Sequence, residues 1–145
     1  EDSVAVINDE VIRSILKASE LVNYKECELV YIINNCNLGQ MKSIDKAYNL
    51  VKSQYIFHCE DDWKFHKKGF IERSLEILEL DEKIFTVWLR AYSDLCGHKI
   101  SELVDVNEIE YRGIIPMGVW SGFTLNPGLR RTKDCLLLSP YALQK

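Results

Sequence analysis

Between residues 4 and 90 the apolar residues switch repeatedly between two periods, and that switching limits the folds open to the chain. Short β-rich runs occupy 4–8 (VAVIN), 28–34 (ELVYIIN), 54–59 (QYIFHC) and 84–90 (IFTVWLR). Between them the apolar positions recur at helical spacing. Val11, Ile12, Ile15, Leu16, Leu21 and Val22 mark a helix over 10–24. Met41, Ile44, Ala47, Tyr48 and Val51 mark a second, and Phe70, Ile71, Leu75, Ile77 and Leu78 give a third over 70–80 an inward face. Strand and helix in strict alternation predict right-handed βαβ units, hence an α/β fold with a mainly parallel central sheet flanked by helices. Beyond Asp94 the pattern weakens. Gly-rich stretches around Gly113 and over 118–128 read as loops around short strands, one of them at 122–125.

The chain has 145 residues, with no internal repeat, low-complexity tract or Gly/Ser linker. One domain spanning 1–145 is the expectation. The net charge of -4 gives no basic surface for non-specific binding of nucleic acid or of a polybasic-seeking membrane. The five cysteines, Cys27, Cys36, Cys59, Cys96 and Cys135, are odd in number and none has CxxC spacing. That argues against a disulfide framework or a zinc ribbon. Scattered thiols suit a reducing, cytoplasmic compartment, with a peripheral place at a membrane left open. No apolar run reaches membrane-spanning length.

The chemistry concentrates at YIFHCEDDW, residues 55–63. An apolar strand delivers Glu60, Asp61 and Asp62 to its C-terminal edge, where ligands bind in open α/β sheets. Carboxylates massed at one point repel one another unless a cation offsets them. Hard oxygen ligands suit Mg²⁺ or Mn²⁺, which keep substrate phosphates as further ligands. The competing structural role is that Asp61 or Asp62 caps the next helix. Asn8-Asp9 ends the first apolar run in the same manner, and Asp9 has the same competing role as a cap. His58 reads as a packed strand residue, His66 as surface and His98 as an exposed loop residue. Trp63 and Trp120 suit either a sugar-facing wall or core packing. Arg90, just past a strand, suits either a phosphate or a carboxylate partner.

Asn37-Leu38-Gly39, a helix, an apolar strand and then EDDW, in that order and spacing, resemble the family 2-like GT-A glycosyltransferases with their acidic DXD motif. The likeness runs from about Val4 to Leu129. It implies an enzyme that transfers a sugar from a nucleoside-diphosphate sugar to an acceptor hydroxyl, with inversion at the anomeric carbon. It also implies Mn²⁺ or Mg²⁺ on Asp62, donor ribose or sugar contacts from Glu60 or Asp61, and a nucleotide-base contact from Asp9 with Asn8 as the alternate. The segment 120–129 (WSGFTLNPGL) resembles the family's acceptor-side segment, which puts Trp120 and Asn126 there; a glycan, a lipid-linked group or a protein fits as acceptor.

The chain departs from the pattern in three places. Ile44-Asp45 stand where the family has an Arg-Asn pair. The family's first strand and helix should precede Glu1, and its acidic catalytic base should lie beyond the acceptor segment. Asp134, the only acid after Asn126, is a weak candidate for that base, because 130–134 (RRTKD) equally suits a solvated helix start. Two other functions stay open: a metal-dependent nucleotidyltransferase, and an inactive relative that keeps sugar-nucleotide binding.

Overall fold

A computed structural model describes residues 9–20, 27–60, 62–95, 97–118 and 123–143. The chain divides into two compact units, one formed by Glu1–Leu50 with Pro140–Lys145, the other by Val51–Ser139.

The first unit holds helices α1 (Asp9–Ser19) and α2 (Gln40–Tyr48) and a 3-10 turn at Tyr141–Leu143. Of the helix expected over 10–24, residues 21–24 lie outside the described residues; α1 ends at Ser19, whose hydroxyl donates to the Leu16 carbonyl at 2.6 Å and so satisfies an end group that the helix leaves open. Residues 28–34 are neither helix nor strand, contrary to expectation. Their β-rich composition favours a pleated surface, but a strand exists only with a ladder partner, and no described strand pairs with them. Leu29, Val30, Tyr31 and Ile33 are exposed there.

The Asn-Leu-Gly tripeptide is the entry to α2. Asn37 Oδ1 accepts the Gly39 N–H at 2.8 Å, and Gly39 has φ +79°, a left-handed conformation that costs glycine little. The Ser43 hydroxyl donates back to the Gly39 carbonyl at 3.0 Å and accepts from Asn34 Nδ2 at 3.0 Å. On the buried side of α2, the Asp45 carboxylate accepts the N–H groups of Tyr141 at 2.7 Å and Ala142 at 3.0 Å. The Tyr48 and Tyr141 rings meet edge to face at 5.8 Å. Asp45 therefore holds the 3-10 turn, and Ile44 beside it is buried.

The second unit contains β1 (Tyr55–His58), α3 (Phe70–Leu80), β2 (Thr86–Trp88), a hairpin of β3 (Val104–Val106) and β4 (Ile109–Tyr111), β5 (Gly128–Arg131) and α4 (Thr132–Leu138). The expected mainly parallel sheet is wrong. The three-stranded sheet has the order β1-β5-β2, and both of its ladders are antiparallel. Since β1 and β2 each run opposite to β5, they run in the same direction as one another, joined through α3 as the alternation implied. They are not neighbours, because β5 comes back from far along the chain and lies between them. The expected strand at 4–8 lies outside the described residues, and 123–125 form no strand.

Every residue of β5 is buried, including two arginines. Gly128 stands between His58 and Trp88 in register, and a Cβ there would sit 2.5 Å from the Val87 carbonyl oxygen, so only glycine lets β5 approach β2 so closely. Side chains alternate across the pleat, so Arg130 and Arg131 leave on opposite faces. The Arg131 guanidinium donates to the carbonyls of Leu78, Asp81 (3.1 Å) and Ile84 (2.8 Å) and pairs with Asp134 at 3.1 Å. It thereby satisfies the C-terminal end of α3, whose last turn carries no basic residue of its own. Arg130 donates to the Asn126 carbonyl at 2.9 Å and to that of Thr124, and it lies 5.5 Å over the Phe123 ring.

Candidate functional site: an acidic turn at the end of β1

β1 ends at His58, and the chain leaves it through Cys59 into the acidic run. Glu60 is half-buried and Asp62 lies exposed in a turn; Asp61 lies outside the described residues. Two aromatic anchors fix the chain just beyond this turn. Trp63 is half-buried under the Arg90 guanidinium, 5.1 Å from the ring centroid, and Arg90 pairs with Asp94 at 3.0 Å. Phe65 stacks on Phe70 at 4.7 Å and meets Phe57 at 5.7 Å. Trp63 is thus held half-buried and Phe65, itself 36% exposed, keeps its ring contacts, while Asp62, Lys64 and His66 are exposed. Helix α3 begins at Phe70 behind Gly69, which occupies the cap position. Asp62 therefore does not cap the helix.

His58 lies behind the acidic turn. Burial, and secondarily the charge of Arg130, pull its pKa from 6.5 down to about 4. It is a neutral packed imidazole at physiological pH, in keeping with its place in the strand pattern. His98, expected to be exposed, is half-buried with its ring 5.6 Å from that of Trp88. Of the two partners open to Arg90, a carboxylate is the one it has.

The other sequence-predicted residues fall elsewhere. Asp9 is the first residue of α1, in the first unit, and Asn8 lies outside the described residues. Trp120 lies outside them too. Asn126 sits in the loop before β5, where its N–H donates to Thr124 Oγ1 at 3.2 Å and its carbonyl receives Arg130. Asp134 stands in the first turn of α4 with its side chain 15% exposed and engaged by Arg131. That ion pair ties α4 to β5.

The turn offers the carboxylates of Glu60 and Asp62 as oxygen donors, and among the described residues no group of three or more His, Cys, Asp or Glu side chains gathers to hold a metal ion. Mg²⁺ and Mn²⁺ use one or two protein carboxylates and take substrate phosphates or water for the rest, and an exposed Asp62 leaves room for such ligands. Sequence reasoning missed a cleft of about 630 Å³ at the opposite end of β1, lined by Lys52, Tyr55, Glu79, Arg131, Thr132 and Lys133 among others. It forms where residues 52–55, α3 and the β5–α4 junction meet, and no local motif announces a cleft made by three segments so far apart in the chain. Compared with known proteins, the chain matches no family model, no curated protein and no solved structure. No helix among the described residues is long and apolar enough to cross a membrane.

Proposed function

We propose that this protein is a metal-dependent glycosyltransferase that binds a nucleoside-diphosphate sugar at the turn carrying Glu60, Asp61 and Asp62. The observation that carries the reading is the exposed carboxylate of Asp62, presented just past the end of β1 by a turn whose next residue, Trp63, is anchored. Asp62 takes the role of metal ligand, and Glu60 or Asp61 that of contact to the donor ribose or sugar. Mn²⁺ or Mg²⁺, when bound, offsets the charge that grows on the leaving diphosphate. The antiparallel pairing of the three-stranded sheet lends this reading no support, and it rests on the acidic turn. It takes support also from the cap position of α3, which Gly69 fills, so that Asp62 is spared for another task.

Calorimetry with Mn²⁺ and a panel of nucleoside diphosphates tests it. Asp62→Asn keeps the shape of the side chain and removes its charge. The expected result is loss of Mn²⁺-dependent diphosphate binding in a folded protein, whose metal-free melting temperature is unchanged or slightly raised as carboxylate repulsion falls. Unchanged affinity in the folded variant would make the acidic run structural. Transfer from nucleoside-diphosphate sugars, as against nucleotidyl transfer from a nucleoside triphosphate and a sugar phosphate, separates the two enzyme classes.

A further inference from the structure

Strands β1 and β2 point the same way but share no ladder, since β5 lies between them. Their C-terminal ends therefore open on one edge of the sheet, and among the described residues no sheet hydrogen bond joins the loops that leave them. A side-chain contact joins these loops: Trp63, from the β1 side, lies against the guanidinium of Arg90, from the β2 side. Trp63 directly follows Asp62. Fixing its indole fixes the peptide on the C-terminal side of that carboxylate, as the Phe65 stack on Phe70 does two residues further on.

We infer that Arg90, held by Asp94, is a positioning residue that sets the cation affinity of the acidic turn through the indole of Trp63. The inference rests on the reading that this turn holds a cation, and it adds a residue that no feature of the acidic motif contains.

Charge alone predicts the opposite effect. A guanidinium beside carboxylates competes with a metal ion, so its removal should strengthen cation binding. Arg90, however, is paired with Asp94 at 3.0 Å, and the pair is neutral as a whole. Its net field at the turn is small, and what it supplies is a wall. The side chain of Arg90 is only 14% exposed, and among the described residues its buried Nε has no hydrogen-bond partner. The guanidinium is thus placed by the indole on one side and the Asp94 carboxylate on the other. A metal site gains affinity when its ligands are held before the ion arrives. Removing Arg90 frees the indole, lets the turn sample more conformations and weakens cation binding.

The test is a set of variants of the full chain titrated with Mn²⁺ in the presence of inorganic pyrophosphate, each first shown to be folded by far-UV circular dichroism. Arg90→Met and Trp63→Leu should each weaken binding about fivefold, the range a partly buried cation–π contact spans. The double variant should lose no more than the worse single, because both changes remove one contact. Arg90→Lys keeps the charge over the ring and should recover most of the affinity. Asp94→Asn, on a largely exposed side chain, should weaken binding about twofold by loosening Arg90; it carries the test if Arg90→Met does not fold. Asp62→Asn separates the two claims. If it leaves binding unchanged, the turn is not the cation site, and both claims fall. If it abolishes binding while Arg90→Met and Asp94→Asn leave affinity unchanged or raise it, or the losses in Arg90→Met and Trp63→Leu add in the double variant, the positioning role alone is overturned.

Discussion

At Asp62 the exposure of one carboxylate goes with its neighbour: Trp63 is half-buried against Arg90, and Asp62 and Lys64 on either side of it are exposed. That much was legible, because an apolar strand running into EDDW has few other ways to end. The partners of the anchors were not legible, since Arg90 and Phe70 lie far from Trp63 and Phe65 along the chain or on another element. His58 shows the same division. Its place in a strand pattern announced a packed imidazole, but the arginine that adds to the lowering of its pKa comes from β5. Since the folded pKa of about 4 lies below the unfolded 6.5, the unfolded chain binds the proton first as pH falls. The contribution of His58 to stability is thus complete above about 6.5 and drains away as pH falls toward 4. Urea midpoints should drop between neutral pH and about pH 5, and His58→Gln should flatten that part of the slope; an identical slope in the variant would assign it to other groups. Backbone strain sits in the β3–β4 turn. Val106 pairs with Ile109 across two residues, Asn107 and Glu108, both at positive φ. Such turns want glycine at the second place, yet Glu108 has φ 68°. Its carbonyl, which accepts Arg73 at 3.2 Å, would survive the loss of the side chain. Glu108→Gly should therefore stabilise the protein by roughly 0.5–1 kcal/mol, read as a raised urea midpoint; a lowered midpoint would show that the glutamate side chain matters more than the strain.

The third helix and the last strand mark the two ends of legibility among the elements. Helix α3 occurs at Phe70–Leu80, where the apolar spacing put it, because a helix writes its own face into local sequence. Strand β5 is Gly-Leu-Arg-Arg, which has neither alternation nor β-branched residues and is followed by Thr-Lys-Asp. Nothing local marks it as the centre of a sheet. Its burial is possible only because distant groups accept its arginines: Arg131 is 8% exposed and meets carbonyls from the end of α3 and the approach to β2. Removing that guanidinium leaves those carbonyls and the carboxylate of Asp134 without their partner. Arg131→Met should cost about 3–5 kcal/mol, as breaking one side of a buried ion pair does. Adding Asp134→Leu should restore part of the loss, because the stranded charge goes with it. A single variant within about 1 kcal/mol of the parent in urea titration would mean that the sheet is held to α3 by apolar packing alone.

For the molecule as a whole, strand–helix alternation announced the direction of β1 and β2 correctly and their neighbours wrongly. Alternation records what lies between two strands along the chain. It holds no information about a third strand that arrives some forty residues later (β2 ends at Trp88, β5 starts at Gly128) and inserts between them. The same blindness applies to the chain's two ends. Pro140–Lys145 group with Glu1–Leu50, not with the residues that precede them. What secures this return is chemical: the carboxylate of Asp45, 8% exposed, receives the first N–H groups of the 3-10 turn, donors that a short helical turn cannot satisfy itself. Asp45→Ala leaves the Tyr141 and Ala142 N–H groups unpaired in a buried place. Bonds to a charged acceptor are worth about 1.5–3 kcal/mol each, and with partial relaxation the loss should be about 2–4 kcal/mol. It should also be local. Hydrogen exchange in Asp45→Ala should speed up across Gln40–Tyr48 and Tyr141–Leu143 and stay at parent rates in Tyr55–His58 and Gly128–Arg131, since contiguous compact units open separately. Equal acceleration in the β5 amides would show that the two units melt as one.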